Sequence, residues 1–188
     1  MFGIVAVIAV VVLVGLAVFL TSPPAVPNAS DLLTRTFDES PTGFTFRYPD
    51  GWEYLIPMQG LLVLGDPATL YESVPGPTFT VQRNDPLSVY GSLDEALDLY
   101  LRRGPMRSDR SWEMLGEITP STFEGREALT VEIQGKENEA SPELRARVLV
   151  TTSQNSFVYM LVLTAPAEDW SVHEPVLTAM LDSLQLLE

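Results

Sequence analysis

Apolar and polar side chains alternate after Gly43, where Phe44, Phe46 and Tyr48 are separated by Thr45 and Arg47. A period of two places the aromatics on one face of a half-buried strand. Pro49-Asp50-Gly51 then supplies a turn before residues 52–56, and the two runs read together as a β-hairpin. Residues 61–64 and 78–82 follow as strands, separated by a loop around Pro75-Gly76-Pro77. At Ser92 the period changes. Ser92-Leu93-Asp94-Glu95 fits a capping box, and Leu93, Ala96, Leu97, Tyr100 and Leu101 then form one helical stripe. Strand patterns return over residues 112–118, 126–134, 144–152 and 157–164, the last two joined as a long hairpin by Ser153-Gln154-Asn155-Ser156. Residues 157–163 are apolar on both faces apart from the Tyr159 hydroxyl, which predicts a central strand covered on both sides. A closing helix is expected from about Glu174, with Pro175 in its first turn and Val176, Leu177, Met180, Leu181 and Leu184 buried. Strands joined as hairpins give an antiparallel sheet, and two amphipathic helices must each cover a face of it. The predicted fold class is therefore α+β, an αβα sandwich on a central antiparallel sheet, preceded by one N-terminal transmembrane helix.

That helix comes from a segment with neither period. Phe2 to Leu20 is uncharged and almost wholly apolar, and 19 helical residues span roughly 29 Å, the hydrocarbon thickness of a bilayer. The run is longer than the apolar core of a secretory signal, and Thr21-Ser22-Pro23-Pro24 is a poor cleavage site, so an uncleaved anchor is expected. Small residues allow close helix–helix approach, and Ala6, Ala9 and Gly15 are the expected packing positions. The predicted organisation is an anchor over residues 1–20, a Pro-rich linker over 21–37 and one domain over 38–188. No Lys or Arg follows the anchor until Arg35, which places the domain on the extracytoplasmic side of a cell membrane.

Charge narrows the function. All charged residues lie after Ser30, and the chain carries a net charge of −14 with a single lysine, Lys136. Phosphate binding relies on clustered Lys and Arg, so nucleic acid is excluded as a partner. With no cysteine in the chain, thiolate nucleophiles, Cys-ligated zinc and a lipid-bearing cysteine are excluded as well. His173 is the only histidine, too few for a His-based metal cage. Asp94, Glu95 and Asp98, like Glu137, Glu139 and Glu143, depart from the spacing of a calcium loop; a helix dipole accounts for the first set and a solvated connection for the second. No catalytic, cofactor-binding or metal-binding residue is therefore expected, and no cofactor. Trp52 and Trp112 read as core. Trp170, in the polar setting Ala167-Glu168-Asp169-Trp170-Ser171, and His173 are the candidate exposed contacts for a partner.

The segment Phe44-Thr45-Phe46-Arg47-Tyr48-Pro49-Asp50-Gly51-Trp52 resembles the opening strand of the PsbP-like family, which ends in Tyr-Pro-x-Gly-Trp. The capped helix at Ser92, the strand entry Phe123-Glu124-Gly125-Arg126-Glu127-Ala128, the long final hairpin and the closing helix follow in the family's order. The resemblance covers about residues 38–188. It implies an αβα sandwich used as a non-catalytic extrinsic or anchored subunit beside photosynthetic or other membrane electron-transfer complexes. This chain departs from the family in having a proteinaceous anchor. The expected function is thus a membrane-anchored accessory subunit of a multisubunit membrane complex, photosynthetic or respiratory, with integral membrane subunits and the bilayer as partners. The alternative is a freestanding anchored binding module for a lipid, a peptide or a maturing protein.

Overall fold

A computed structural model describes residues 28–38, 42–72, 74–106 and 111–187. The expected anchor, with Ala6, Ala9 and Gly15, lies outside the described residues, among which no helix is long and apolar enough to cross a membrane.

The Asn28 side chain accepts from the Ser30 N–H and opens a 3-10 turn, Ala29–Leu32. The chain continues through β1 (Arg35–Phe37), β2 (Phe44–Tyr48), β3 (Glu53–Met58), β4 (Leu61–Gly65), α1 (Pro67–Tyr71), β5 (Thr78–Pro86), α2 (Leu87–Tyr90) and α3 (Leu93–Arg103). It ends with β6 (Ser111–Met114), β7 (Thr119–Phe123), β8 (Arg126–Lys136), β9 (Leu144–Thr152), β10 (Phe157–Pro166), α4 (Trp170–Asp182) and β11 (Gln185–Leu186). An antiparallel sheet of eight strands runs β3-β4-β5-β10-β9-β8-β6, with β7 also paired to β8; a smaller sheet runs β1-β2-β11.

The all-apolar strand β10 sits in the middle of the large sheet, as its pattern requires. Tyr159, Leu161 and Leu163 enter one core with Phe79, Leu149 and Leu177 and Met180 of α4. Val158, Met160 and Val162 point the other way, into a second core closed by Leu93, Ala96, Leu97 and Leu101 of α3. Helices thus pack on both faces of one sheet. The cap of α3 is present: Ser92 Oγ accepts from the Glu95 N–H at 3.2 Å.

Four sequence expectations change. Strand β2 does not pair with β3. Its three aromatics lie buried across the face of the large sheet, with Phe46 meeting Phe79 at 5.2 Å and Phe44 meeting Tyr159 at 6.3 Å, both edge-on. A strand lying across a sheet as a separate layer cannot also extend it, so Pro49-Asp50-Gly51 carries the chain from one sheet to the other, with Gly51 at φ +82°. Second, the expected linker over 21–37 contributes to the fold, because Leu33 and Phe37 are 1% and 2% exposed within the core. Third, the closing helix begins at Trp170, one turn before the expected start, with Pro175 inside it. The hydrogen bond that Pro175 forgoes belongs to the carbonyl of the exposed Ser171, where water replaces it at little cost. Fourth, residues 119–123 form β7, a strand not anticipated. It meets β8 through the two-residue turn Glu124-Gly125, both at positive φ (49° and 75°), a primed turn that suits the twist of the flanking strands.

Candidate functional site: a groove at one end of the large sheet

A hollow opens where the β2 layer meets one end of the large sheet, lined by Thr42 and Phe44 as well as by β3, β4 and β5. A groove of about 760 Å³ lies at the sheet end formed by the β3–β4 turn, the end of β5 and the start of β10. Edge strand β3 tolerates Pro57 because no partner strand needs its N–H, and a register shift between Leu55 and Met58 re-aims the side chains that follow. As a result Met58 is 64% exposed on the rim, and Ile56 is also exposed. The turn is closed by Gly60, at φ +83°, whose carbonyl accepts from the Arg83 N–H at 2.7 Å. On the wall, the Arg83 guanidinium lies 4.0 Å over the Phe157 ring, a cation–π contact that holds the long side chain flat. Gln82 donates to Asn84 at 2.8 Å beside it.

Separate, smaller hollows flank α3. Gln82, Asn84 and Tyr90 also line a hollow of about 320 Å³ along α3, floored by Met160 and walled by Leu99 and Tyr100. Tyr100 and Gly104 in turn border a third hollow of about 220 Å³ that reaches Trp112 and Val162. Burial, with the nearby Glu137 charge adding to it, pushes the Tyr100 hydroxyl up to about 12. At neutral pH Tyr100 is a hydrogen-bonding group, not a base.

The second polar constellation lies on the α4 face. Glu132 stands opposite Arg147 in the β8–β9 register, and its carboxylate accepts from Arg147 at 2.8 Å and from Arg145 on its other oxygen. Arg147 also donates to Glu174 of α4. Burial alone would raise the Glu132 carboxyl, but the hydrogen bonds and charges of the two arginines outweigh it and hold it below the usual range. Burial likewise disfavours the Arg147 charge, and Glu132 and Glu174 reverse that effect. Each charge is matched, so the cluster clamps α4 onto the sheet and leaves no carboxylate poised for acid–base work.

Trp170 belongs to this clamp. The expectation that it is exposed is corrected: it is 4% exposed, with the guanidiniums of Arg145 and Arg147 5.3 and 5.9 Å from its ring. Its polar neighbours Glu168 and Asp169 face solvent while the indole turns inward under the arginines. His173 is half-buried on α4 and joins no candidate metal-binding group among the described residues. The structure does not bring it to the groove. The clamp had a sequence signal: Arg145 and Arg147 alternate within an apolar strand, as Glu132 does between Val131 and Ile133. The groove had none, because its walls come from segments distant in sequence.

No protein-family model matches the chain, and neither does any curated protein. Solved structures do share its fold. The solution structure of cyanobacterial PsbP (CyanoP) from Synechocystis sp. PCC 6803 superposes with a TM-score of 0.57 at 17% identity, over 89% of this chain and 98% of that one. The Saccharomyces cerevisiae Ran-binding protein Mog1p gives 0.54 at 12% identity, over 82% and 95%. A Bacteroides thetaiotaomicron protein gives 0.52 at 10%, with 48% of that chain covered. The fold is PsbP-like, as the Phe44–Trp52 resemblance implied.

Proposed function

We propose that this chain is a non-catalytic accessory protein, held at a membrane by residues 2–20, whose domain docks on a partner protein outside the cytoplasm. The observation that carries this reading is the groove at the β3–β4 end of the sheet, with the apolar side chains of Ile56 and Met58 exposed at its rim. The PsbP-like fold supports an accessory role, and an electron-transfer complex is the host that the family resemblance favours. A second reading, a freestanding anchored module, draws support from the 760 Å³ of the groove, a volume that fits a small ligand.

Purification of the full chain in mild detergent separates the two. Co-migration with large membrane proteins at fixed stoichiometry is expected, and a monomer under conditions that preserve other complexes would refute the subunit reading. Gly15→Leu with Ala9→Leu should leave insertion intact but reduce this co-purification, because enlarged side chains separate packed helices. Undiminished association of the double variant would leave recruitment to the folded domain alone.

A further inference from the structure

The two helices of the sandwich present different faces to solvent. Every exposed residue of α3 is charged: Asp94, Glu95, Asp98, Arg102 and Arg103. Helix α4 exposes Ser171, Val172 and Pro175, and a charge only at its last residue, Asp182. Val172 is 71% exposed. Glu174, the other acidic residue of α4, is half-buried and tied to Arg147. In a chain with a net charge of −14, an outward helix face that stays free of exposed charge up to its last turn suits a neighbour beside which charge is costly.

The point where the chain enters the domain identifies that neighbour. Asn28, Ala29 and Ser30 border the same hollow as Pro175, Thr178 and Asp182, so the chain enters beside the outer surface of α4. Leu32, in the same 3-10 turn, is 48% exposed. From Leu20 to Asn28 the chain reaches at most about 29 Å when fully extended. The layers of α3, the sheet and α4 lie about 10 Å apart, and the helix radii bring the sandwich to about 30 Å. With residues 2–20 in a bilayer, the reading proposed above on which this inference rests, the tether cannot pass around the domain to set α3 down on the membrane. With α4 down it reaches easily. So short a tether also holds the face at a millimolar effective concentration near the lipid, and weak contacts then suffice.

We infer that the outward face of α4, centred on Val172 and Pro175, rests on the headgroup layer of the bilayer and sets the orientation of the domain. The exposed acids that fringe this face, Asp31, Glu168, Asp169 and Asp182, stay in water and are repelled by anionic lipid, so the surface it fits is zwitterionic.

The chain has no cysteine, so an introduced one takes a label at a single position. Val172→Cys and Asp98→Cys, exposed on α4 and α3, each carry a nitrobenzoxadiazole dye in the full chain, one chain per phosphatidylcholine nanodisc. A phosphatidylcholine spin-labelled on its headgroup is the quencher. Quenching at position 172 should exceed that at position 98 at least threefold. Ser171→Glu with Pro175→Glu should bring position 172 down to the level of position 98, and phosphatidylglycerol as half of the lipid should lower it too. Equal quenching at the two positions, an unaffected double variant, or quenching that rises with phosphatidylglycerol would overturn the inference. So would a blue shift of the dye at position 172 without quenching, seen only in discs that hold two chains or only in native membranes. The first assigns the face to a second copy, and the second to a partner protein. Alkaline extraction of the full chain from membranes tests the anchor separately: a stripped chain refutes the anchored reading, whereas a retained chain with equal quenching refutes the orientation alone.

Discussion

Phe37 offers the sharpest test of where the fold begins. It is 2% exposed, stacks on Phe44 and Phe46 at 5.5 and 5.3 Å, and meets the Tyr54 ring edge-on at 5.2 Å. Phe37→Ala removes a fully buried aromatic from a site walled by rigid rings that cannot collapse into the space. A loss of about 4 kcal/mol is expected, from the range for buried phenylalanines with aromatic contacts added. In a domain of this size that lowers Tm by roughly 8–16 °C. Thr36→Ala, on the exposed side of the same strand, should stay within about 0.5 kcal/mol. Truncation makes the same point more severely. Fragment 28–188 should fold, whereas fragment 38–188 loses Leu33 with Phe37, a deficit of about 5–10 kcal/mol against a total stability of similar size. Urea unfolding followed by tryptophan fluorescence measures each midpoint. Equal midpoints for the two fragments would mean that β1 is only a tether.

Two further outcomes follow from the clamp and the turn. Glu132 titrates below its ordinary value of 4.5, so its stabilising effect is full above that pH and fades as pH falls through the lowered folded value. Glu132→Gln should cost about 2 kcal/mol at pH 7 and flatten this acid limb of the Tm–pH curve, and an unchanged limb would assign acid sensitivity to other groups. Gly60→Ala places a Cβ 3.0 Å from the Arg83 carbonyl at φ +83°, and should cost about 1–3 kcal/mol in thermal unfolding, whereas a neutral result would mean that the β3–β4 turn shifts freely.

Most of the longer elements were legible before any contact was known, because period and capping are local, whereas short ones such as β1 and β7 were not. The Ser92 cap, the stripe of α3 and the two apolar faces of β10 were each legible from neighbouring residues. What the sequence left open was partnership between distant segments. Phe44, Phe46 and Tyr48 alternate in the same way whether their strand extends a sheet or lies across one, and only burial against Phe79 and Tyr159 decides for the latter. Leu33 and Phe37 lie in a short, irregular stretch with too little period to mark them as core. Trp170 looked exposed because its sequence neighbours are polar, yet the arginines that roof it come from β9, some 25 residues earlier. The groove is the extreme case, since β2, β3, β4, β5 and β10 each supply a wall and no local pattern encodes the space between them. Local chemistry sets the elements, and the requirement to bury two opposite apolar faces of one sheet sets where they meet.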